Sequence, residues 1–234
     1  MLNNEILTVE NYGMSYKNSH ILRDLTFTVK KGDYLAIGGV PGSGKTTLVR
    51  SILGLVTKGV TGKIEYHNIG TTDVSYMPQN LMQQKENFLG TAREVTAVAY
   101  LPQKKGRPFD SEDWKKVDKL LKKLGLYEVK DKKITKLTKG QLLKVNLAKH
   151  LINDPQLIFI DSPTATLDNK DKIDFYKTIK YFCEKEGLTV IFISNNIKDI
   201  AEYANKVLFL KKKDRTYYFG ESKDFLEKAK EKTN

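Results

Sequence analysis

A run of eight residues carries the clearest chemical signal in this sequence. It extends from Gly39 to Thr46, reads GVPGSGKT, and matches the pattern G-x-x-x-x-G-K-[ST]. Its glycines allow a backbone nest whose N–H groups point at phosphate oxygens, and a helix that follows adds the positive end of its dipole. The pattern predicts that Lys45 reaches the β- and γ-phosphates of a nucleotide and that the Thr46 hydroxyl ligates Mg²⁺.

The flanking residues have the character that such a loop requires. Tyr34–Ile37 reads as a buried strand and Thr47–Leu53 as a helix, which is the strand–loop–helix context of the motif. An incidental glycine-rich turn is the alternative, and this context disfavours it. The residues expected to bind nucleotide at this loop are Gly39, Gly42, Ser43, Gly44, Lys45, Thr46 and Thr47.

Asp161 is the second candidate for chemistry. It ends the apolar run Leu157–Ile160, which reads as a strand of a parallel sheet covered on both faces. An acidic residue at the carboxyl end of such a strand lies where open α/β sheets bind ligands, so its carboxylate can hold Mg²⁺. The alternative is an ordinary aspartate that caps the turn before Pro163. The upstream phosphate-binding loop favours the magnesium role.

Length and composition limit the class of protein. The 234 residues, 40% of them hydrophobic, suit one large domain or a core with an inserted subdomain. No apolar stretch approaches the about 18 residues of a membrane helix, and Met1–Glu5 lacks a signal-peptide pattern, so we expect a soluble cytoplasmic protein. The single cysteine, Cys183, excludes an intrachain disulfide and a cysteine-based metal cage.

The chain is strongly basic. Forty Lys and Arg against 28 Asp and Glu give a net charge of +12, with excess in the runs 130–133, 211–213 and 223–232. Nucleic acid, an acidic membrane face and plain solvation are all compatible with this charge. Lysine greatly outnumbers arginine, and no helix-turn-helix or RNA-binding signature is present, so solvation is favoured and no nucleic-acid partner is expected.

Hydrophobic periodicity predicts a mixed fold. Three runs read as half-buried strands of an antiparallel layer: Ile6–Val9, Leu25–Val29 and Lys63–Tyr66. The region from Glu86 to Leu126 reads as helical, and Val190–Ile193 as a second buried parallel strand. We therefore expect an α/β fold: a P-loop NTPase core with a mostly parallel sheet, an antiparallel β subdomain, and an inserted α-helical subdomain at about residues 80–150.

Four further segments follow one another in a family-typical order. They are Tyr16, Tyr76–Gln79, Leu137–Gln141 and Ala165–Asp168. Together with the two sites above they resemble the adenine-stacking aromatic, the Q-loop, the LSGGQ signature and the D-loop of ATP-binding cassette (ABC) ATPases. Each segment alone has an ordinary structural interpretation, such as an aromatic residue of a strand or the start of a helix. The resemblance spans nearly the whole chain.

The resemblance implies roles and partners. Two such domains would close head to tail as a homodimer or a heterodimer, with each ATP held between one subunit's phosphate loop and the other's signature. Thr138, Gly140 and Gln141 would serve the partner's nucleotide, with Thr138 offering a hydroxyl and Gly140 an approachable backbone to the γ-phosphate. Gln79 would contact Mg²⁺ or the attacking water and couple to a membrane permease. Lys139 departs from the family, which has glycine there.

Two more departures affect catalysis. Ser162 stands where the family has the glutamate that activates water, and Asn195 stands where the family has its switch histidine. A serine cannot act as a general base near neutral pH. With Gln79, Asp161, Ser162 and Asn195 as the catalytic positions, and Thr46, Gln79 and Asp161 as the metal positions, we expect the chain's own site to bind MgATP and to hydrolyse it slowly.

Three functions agree with these residues. The first is the ATPase subunit of an ABC transporter, on the inner face of the membrane; Gly90–Val95 and Tyr218–Gly220 resemble segments of bacterial zinc and manganese importers. The second is a catalytically degenerate subunit that pairs with a competent homologue. The third is a non-transport ABC protein that acts on nucleic acid or the ribosome.

Overall fold

A computed structural model of the chain describes residues 4–16, 19–79, 90–164, 167–196, 202–213 and 216–231. The strands within these ranges are β1 Glu5–Tyr16, β2 Ser19–Lys30, β3 Tyr34–Gly39, β4 Val60–Tyr66, β5 Val74–Met77, β6 Leu157–Asp161, β7 Thr189–Ile193, β8 Lys206–Leu210 and β9 Tyr217–Glu221. The helices are α1 Lys45–Ile52, α2 Ala92–Val98, α3 Leu101–Lys104, α4 Ser111–Lys123, α5 Lys139–Leu151, α6 Asn169–Glu186 and α7 Ser222–Glu231.

The chain divides into two compact units. The first, unit 1, comprises Met1–Val74, Gln156–Ser162 and Lys180–Asn234, and the second, unit 2, comprises Ser75–Pro155 and Pro163–Ile179. Unit 1 holds most of the strands, and unit 2 holds α2 to α5 together with the first part of α6. The helical subdomain at about residues 80–150 stays a prediction, and residues 80–89 lie outside the described part of the chain.

A small antiparallel sheet in unit 1 has the strand order β2-β1-β4. Alternation along β1 buries Leu7, Val9 and Tyr12 on one face, and β2 adds Phe27 and Val29 to the same core. Such alternation is typical of an antiparallel sheet with one covered face. The antiparallel β subdomain predicted from the sequence is therefore confirmed.

The larger sheet of unit 1 is mostly parallel. Strands β6, β7, β3 and β8 are consecutive parallel neighbours, and β9 closes the edge antiparallel to β8. All residues of β3, β6 and β7 are buried, which explains the apolar runs 35–37, 157–160 and 190–193 within them. The α/β fold class with a mostly parallel sheet is confirmed.

The helices of unit 2 begin at well-formed caps. Thr91 caps α2 and Asp110 caps α4, each in a capping box with the residue three positions on. On α4, Val117 and Leu121 are buried, as the i, i+4 spacing predicts. Within the described residues 90–126, the region read as helical from the sequence contains α2, α3 and α4, and residues 105–110, with Gly106 and Pro108, separate α3 from α4.

Two smaller expectations concern the membrane and the thiol. Among the described residues, no helix combines the length and the apolar character that crossing a bilayer demands. Cys183 is buried in α6, and this burial raises the pKa of its thiol to about 12. The thiol is therefore a packing group of the helix.

Candidate functional site

The parallel strands of unit 1 bring several predicted site residues to one edge of the sheet. Ile37 of β3 pairs with Ile193 of β7, and Asp161 of β6 pairs with the same residue from the other side. The chain leaves β3 into the phosphate loop, leaves β6 into Ser162, and leaves β7 toward Asn195. Because these strands are parallel, all three exits lie at the carboxyl edge, where open α/β sheets bind ligands.

The phosphate loop is shaped by glycines that no other residue can replace. Gly39 has φ 142°, and a Cβ there would lie 2.5 Å from Ser43 Oγ and 2.6 Å from the Leu210 carbonyl oxygen. Gly44 has φ 98°, and a Cβ there would approach Ile21 Cγ2 to 3.0 Å. Both positions combine a left-handed backbone with no room for a side chain. The loop therefore keeps its shape by packing against β2 and β8.

The loop ends at the N-terminus of α1, which is open to an anion. Gly44 is the N-cap, no side chain caps the helix, and its first turn contains no acidic residue. The first N–H groups of a helix have no partner within the helix and carry the positive end of its dipole. This helix start, with its nest of amides, is a ready site for phosphate.

Lys45 is held in position by the loop itself. Its Nζ donates hydrogen bonds to the Gly39 carbonyl oxygen at 2.7 Å and to the Val40 carbonyl oxygen at 3.1 Å, and the residue is 7% exposed. Burial lowers the pKa of this ammonium, and the charge of Asp161 opposes that shift. The arrangement keeps a cation at the phosphate loop with two neutral acceptors that a nucleotide can replace.

Thr46 and Asp161 supply oxygen ligands from different elements. Thr46 Oγ1 donates to Asp161 Oδ2 at 3.4 Å, and Asp161 is 4% exposed. Mg²⁺ uses one or two protein oxygens together with substrate phosphates and water, so a hydroxyl and a carboxylate at this place fit the ion. Elsewhere in the described part of the chain, no cluster of three or more His, Cys, Asp or Glu residues offers a metal site.

Two other residues of the loop were also predicted to bind nucleotide. Thr47 is half-buried in the first turn of α1. Ser43 is 2% exposed, and its Oγ finds no hydrogen-bond partner among the described residues. A buried hydroxyl without a partner is costly unless a ligand satisfies it. This observation supports the prediction for Ser43.

The two substituted catalytic positions lie at the same edge. Ser162 directly follows β6, adopts φ 45°, and donates its N–H to the Ile193 carbonyl oxygen at 3.1 Å. Asn195 is exposed two residues after β7. Neither side chain ionises near neutral pH, so the edge lacks a general base at these positions.

Tyr16 lies at the tip of the β1–β2 hairpin. Its ring is 65% exposed, and it pairs with Ser19 across the turn. Strand β2 contacts the phosphate loop, because side-chain atoms of Ile21 and Leu22 would lie 3.0 to 3.2 Å from a Cβ placed on Gly44. An exposed aromatic side chain can stack on a nucleobase, and the adenine role of Tyr16 stays a prediction.

The signature segment belongs to unit 2 and is already engaged within the chain. Thr138 is the N-cap of α5: its Oγ1 accepts from the Gln141 N–H at 3.2 Å, while Gln141 Oε1 accepts from the Thr138 N–H at 3.1 Å. The Gly140 N–H donates to Asp171 Oδ2 at 3.1 Å. From the sequence we expected the backbone of Gly140 to be free for phosphate, but its N–H already donates a hydrogen bond to a carboxylate.

Asp171 is the residue that the sequence did not reveal. It lies in the first turn of α6, and its N–H is in turn capped by Asp168 Oδ1 at 2.8 Å. Its contact with α5 joins residues 31 positions apart in the sequence, so no local pattern signals it.

Two other predicted segments complete the set. Gln79 is exposed two positions after β5 in unit 2, and Ala165 and Thr166 of the D-loop lie outside the described residues.

Comparison with known proteins places this geometry in a family. The family model described as ABC transporter matches residues 22–165, which include the phosphate loop, the signature segment and Asp161. The chain belongs to the ABC transporter family and is an ATP-binding subunit of the kind that this family uses. Members of this family bind and hydrolyse ATP, typically together with Mg²⁺.

Individual relatives cover most of the chain. A probable metal transport system ATP-binding protein of Thermotoga maritima is 31% identical over 88% of this chain and 81% of its own length. The zinc transport system ATP-binding protein AdcC of Streptococcus pneumoniae is 25% identical over 87% and 89%. The structure of cbiO1 from Clostridium perfringens, part of the ABC transporter complex cbiONQ, superposes with a TM-score of 0.83 at 25% identity, covering 96% of this chain and 92% of that one.

Proposed function

We propose that this chain binds MgATP at the carboxyl edge of its parallel sheet and drives the import of divalent metal ions through a separate membrane permease. The observation that carries the proposal is the convergence of Lys45, Thr46 and Asp161 at one place in unit 1. An ammonium, a hydroxyl and a carboxylate beside an uncapped helix start are the groups that a magnesium triphosphate needs.

Each residue has a distinct task in this proposal. The amides of the loop and of the α1 N-terminus bind phosphate oxygens, and Lys45 exchanges its carbonyl acceptors for the β- and γ-phosphates. Thr46 and Asp161 hold Mg²⁺, which neutralises phosphate charge when it is bound. Ser43 gains a partner for its buried hydroxyl, and Tyr16 stacks on adenine.

Hydrolysis at this chain's own site is slow in this proposal. Ser162 and Asn195 replace the groups that activate water and sense the γ-phosphate, and orientation of water with transition-state stabilisation carries about three or more powers of ten in rate. The test is single-turnover hydrolysis of ATP by three purified proteins: wild type, the Asn195→His variant, and the double variant Asn195→His with Ser162→Glu. Asn195→His is the cleaner variant, because φ 45° at Ser162 is strained for a glutamate. Brisk turnover by the wild type would contradict the proposal.

The active state is a head-to-tail dimer, either of two copies or with a competent homologue. In a heterodimer the Thr138–Gln141 segment of this chain completes the partner's site, and the slow site of this chain binds ATP structurally. Ser162 and Asn195 favour this second candidate function over a fully active homodimer. Mixing the chain with a catalytically competent homologue from the same organism distinguishes the two arrangements, since only a heterodimer gains ATPase activity on mixing.

Import of divalent metal ions is the finer part of the proposal. It is supported by the metal and zinc transport systems among the relatives and by the segment Gly90–Val95 at the start of α2, which resembles such proteins. The permease would dock near Gln79, on the cytoplasmic face of the membrane. The test is uptake of radiolabelled zinc and manganese by cells of the source organism that lack this chain. Wild type should restore uptake of one metal and Lys45→Ala should not; unchanged uptake of both metals in the deletion strain would refute metal import.

A further inference from the structure

The lysine run 211–213, which charge alone assigns to solvation, lies beside the phosphate loop. Strand β8 runs parallel to β3, with Gly39 paired to Leu210, so the residues after Leu210 emerge at the same edge as the loop. The turn is closed by the Lys211 N–H, which donates to the Thr216 carbonyl oxygen at 2.9 Å. Three ammonium groups therefore start from one short turn next to the nucleotide edge.

One of the three side chains lies on the loop. A Cβ placed on Gly42, between Gly39 and Lys45, would be 3.3 Å from Lys212 Nζ and 3.8 Å from its Cε. The end of this exposed side chain thus lies near Gly42 of the phosphate loop. A larger residue at position 42 would push the ammonium away, so the glycine makes room for it.

The charge of Lys212 is not neutralised within the described residues. The ion pairs found there do not include it. Lys45 differs, because it is 7% exposed and bound to two carbonyl oxygens of the loop. Lys212 is exposed, so its attraction for an anion is screened by salt.

We propose that Lys212 is a second cation of the nucleotide site, whose ammonium binds phosphate oxygens of the nucleotide from the Gly42 side of the loop. The inference rests on the proposed binding of MgATP and adds a residue to that site. Its attraction increases with the charge of the phosphate chain, so it favours a triphosphate over a diphosphate. Lys45 holds the phosphates from within the loop, and Lys212 covers them from outside.

The test compares charge removal at three positions of one turn. Lys212→Met keeps the length of the side chain and removes its charge, while Lys211→Met and Lys213→Met remove the same charge from its neighbours. Calorimetric titration with MgATP at about 50 mM salt should show Kd for Lys212→Met raised about three- to tenfold, and for the two controls less than about twofold. At about 300 mM salt the difference should shrink, because added salt shortens the Debye length and screens the attraction of an exposed charge more strongly.

Further measurements distinguish a failure of this inference from a failure of the proposed function on which it rests. Lys212→Arg should restore Kd to the wild-type value, and the loss in Lys212→Met should be larger for MgATP than for MgADP. If wild type binds MgATP and Lys45→Ala does not, but Lys212→Met binds like the two controls, this inference fails alone. If wild type binds no MgATP, the proposed function and this inference fail together. Because Lys212 is exposed, Lys212→Met should fold as wild type does, and a matched thermal melt checks this.

Discussion

The N–H of Gly140 donates a hydrogen bond to the carboxylate of Asp171, with 3.1 Å between the nitrogen and Oδ2. One turn further on, Lys144 Nζ lies 2.6 Å from Asp174 Oδ2, so two contacts hold the start of α6 against α5. The first of these contacts occupies the helix N-terminus that the signature segment would present to a nucleotide. Asp171 thus caps α5, and it would compete with any phosphate that the signature segment binds.

Gly140→Ala should destabilise unit 2. A Cβ at this position would lie 2.4 Å from Asp171 Cγ, so the carboxylate must move and its hydrogen bond is lost. We expect the free energy of unfolding to fall by about 1–3 kcal/mol in urea titrations.

A double-variant cycle identifies the cause of that loss. Asp171→Ala removes the obstructing group, so Gly140→Ala should cost much less in the Asp171→Ala background. Gly70→Ala is the matched control, because the nearest neighbour of its Cβ would be Asp73 Oδ2, at 3.7 Å. Equal costs of Gly140→Ala in both backgrounds would show that this contact is not responsible.

Asp171→Asn should strengthen dimerisation driven by MgATP. The amide oxygen still accepts from Gly140, but the negative charge that repels a triphosphate is gone. Sedimentation velocity with MgATP should show about three- to tenfold tighter association than for wild type. Asp174→Asn removes the same charge one turn away and serves as the control; equal association of the two variants would contradict the role of Asp171.

Asp33→Ala should be strongly destabilising in unit 1. Asp33 is 6% exposed; its Oδ2 accepts from the Lys30 N–H at 2.7 Å and from Lys206 Nζ at 2.9 Å, and its Oδ1 from Asn205 Nδ2 at 3.1 Å. Removal of the carboxylate leaves a largely buried ammonium without its partner, which costs about 3 kcal/mol. Chemical denaturation measures this loss.

The control for Asp33 is an exposed ion pair. Glu184 pairs with Lys180 on α6 at 3.7 Å, and their side chains are 57% and 51% exposed. Exposed pairs of this kind contribute little to stability, so Glu184→Ala should leave Tm nearly unchanged. A similar loss in both variants would contradict the importance of burial for the Asp33 network.

Stability should fall as the solution becomes mildly acidic. Burial lowers the pKa of His150 from 6.5 to about 4, with a smaller contribution from the charge of Lys149, and Ser75 Oγ lies 2.9 Å from its Nδ1. The unfolded chain therefore binds a proton more readily than the folded protein between these two pH values. The free energy of unfolding should decline by up to about 3 kcal/mol as pH falls through this window and level off below it.

Urea titrations across that window test this linkage. His150→Gln should remove most of the decline, since an amide does not titrate there. An identical pH dependence in wild type and variant would assign the effect to other groups.

The sheet and the phosphate loop were predictable because their signals are local. The purely apolar residues of β6 and β7 indicate strands covered on both faces, and the loop motif depends on the spacing of glycines around Lys45. The pairing of Thr46 with Asp161 was also predictable, since both follow parallel strands that end at one edge.

Contacts between residues far apart in the sequence were not predictable. Asp171 reaches Gly140 only because α5 and α6 lie together, and the ammonium of Lys212 meets Gly42 only because β8 lies beside β3. In the sequence, both residues belong to charged surface segments, for which solvation is the ordinary expectation. These contacts depend on tertiary packing, which no local spacing encodes.

The central claim is that the loop containing Lys45, together with Asp161, binds magnesium triphosphate. Isothermal titration of the full chain with MgATP tests it most directly, in wild type, Lys45→Ala and the exposed-charge control Lys213→Ala. We predict saturable binding by wild type and the control, and loss of at least about a hundredfold in affinity for Lys45→Ala. Absence of binding to the folded wild type, or unchanged binding by Lys45→Ala, would contradict the claim.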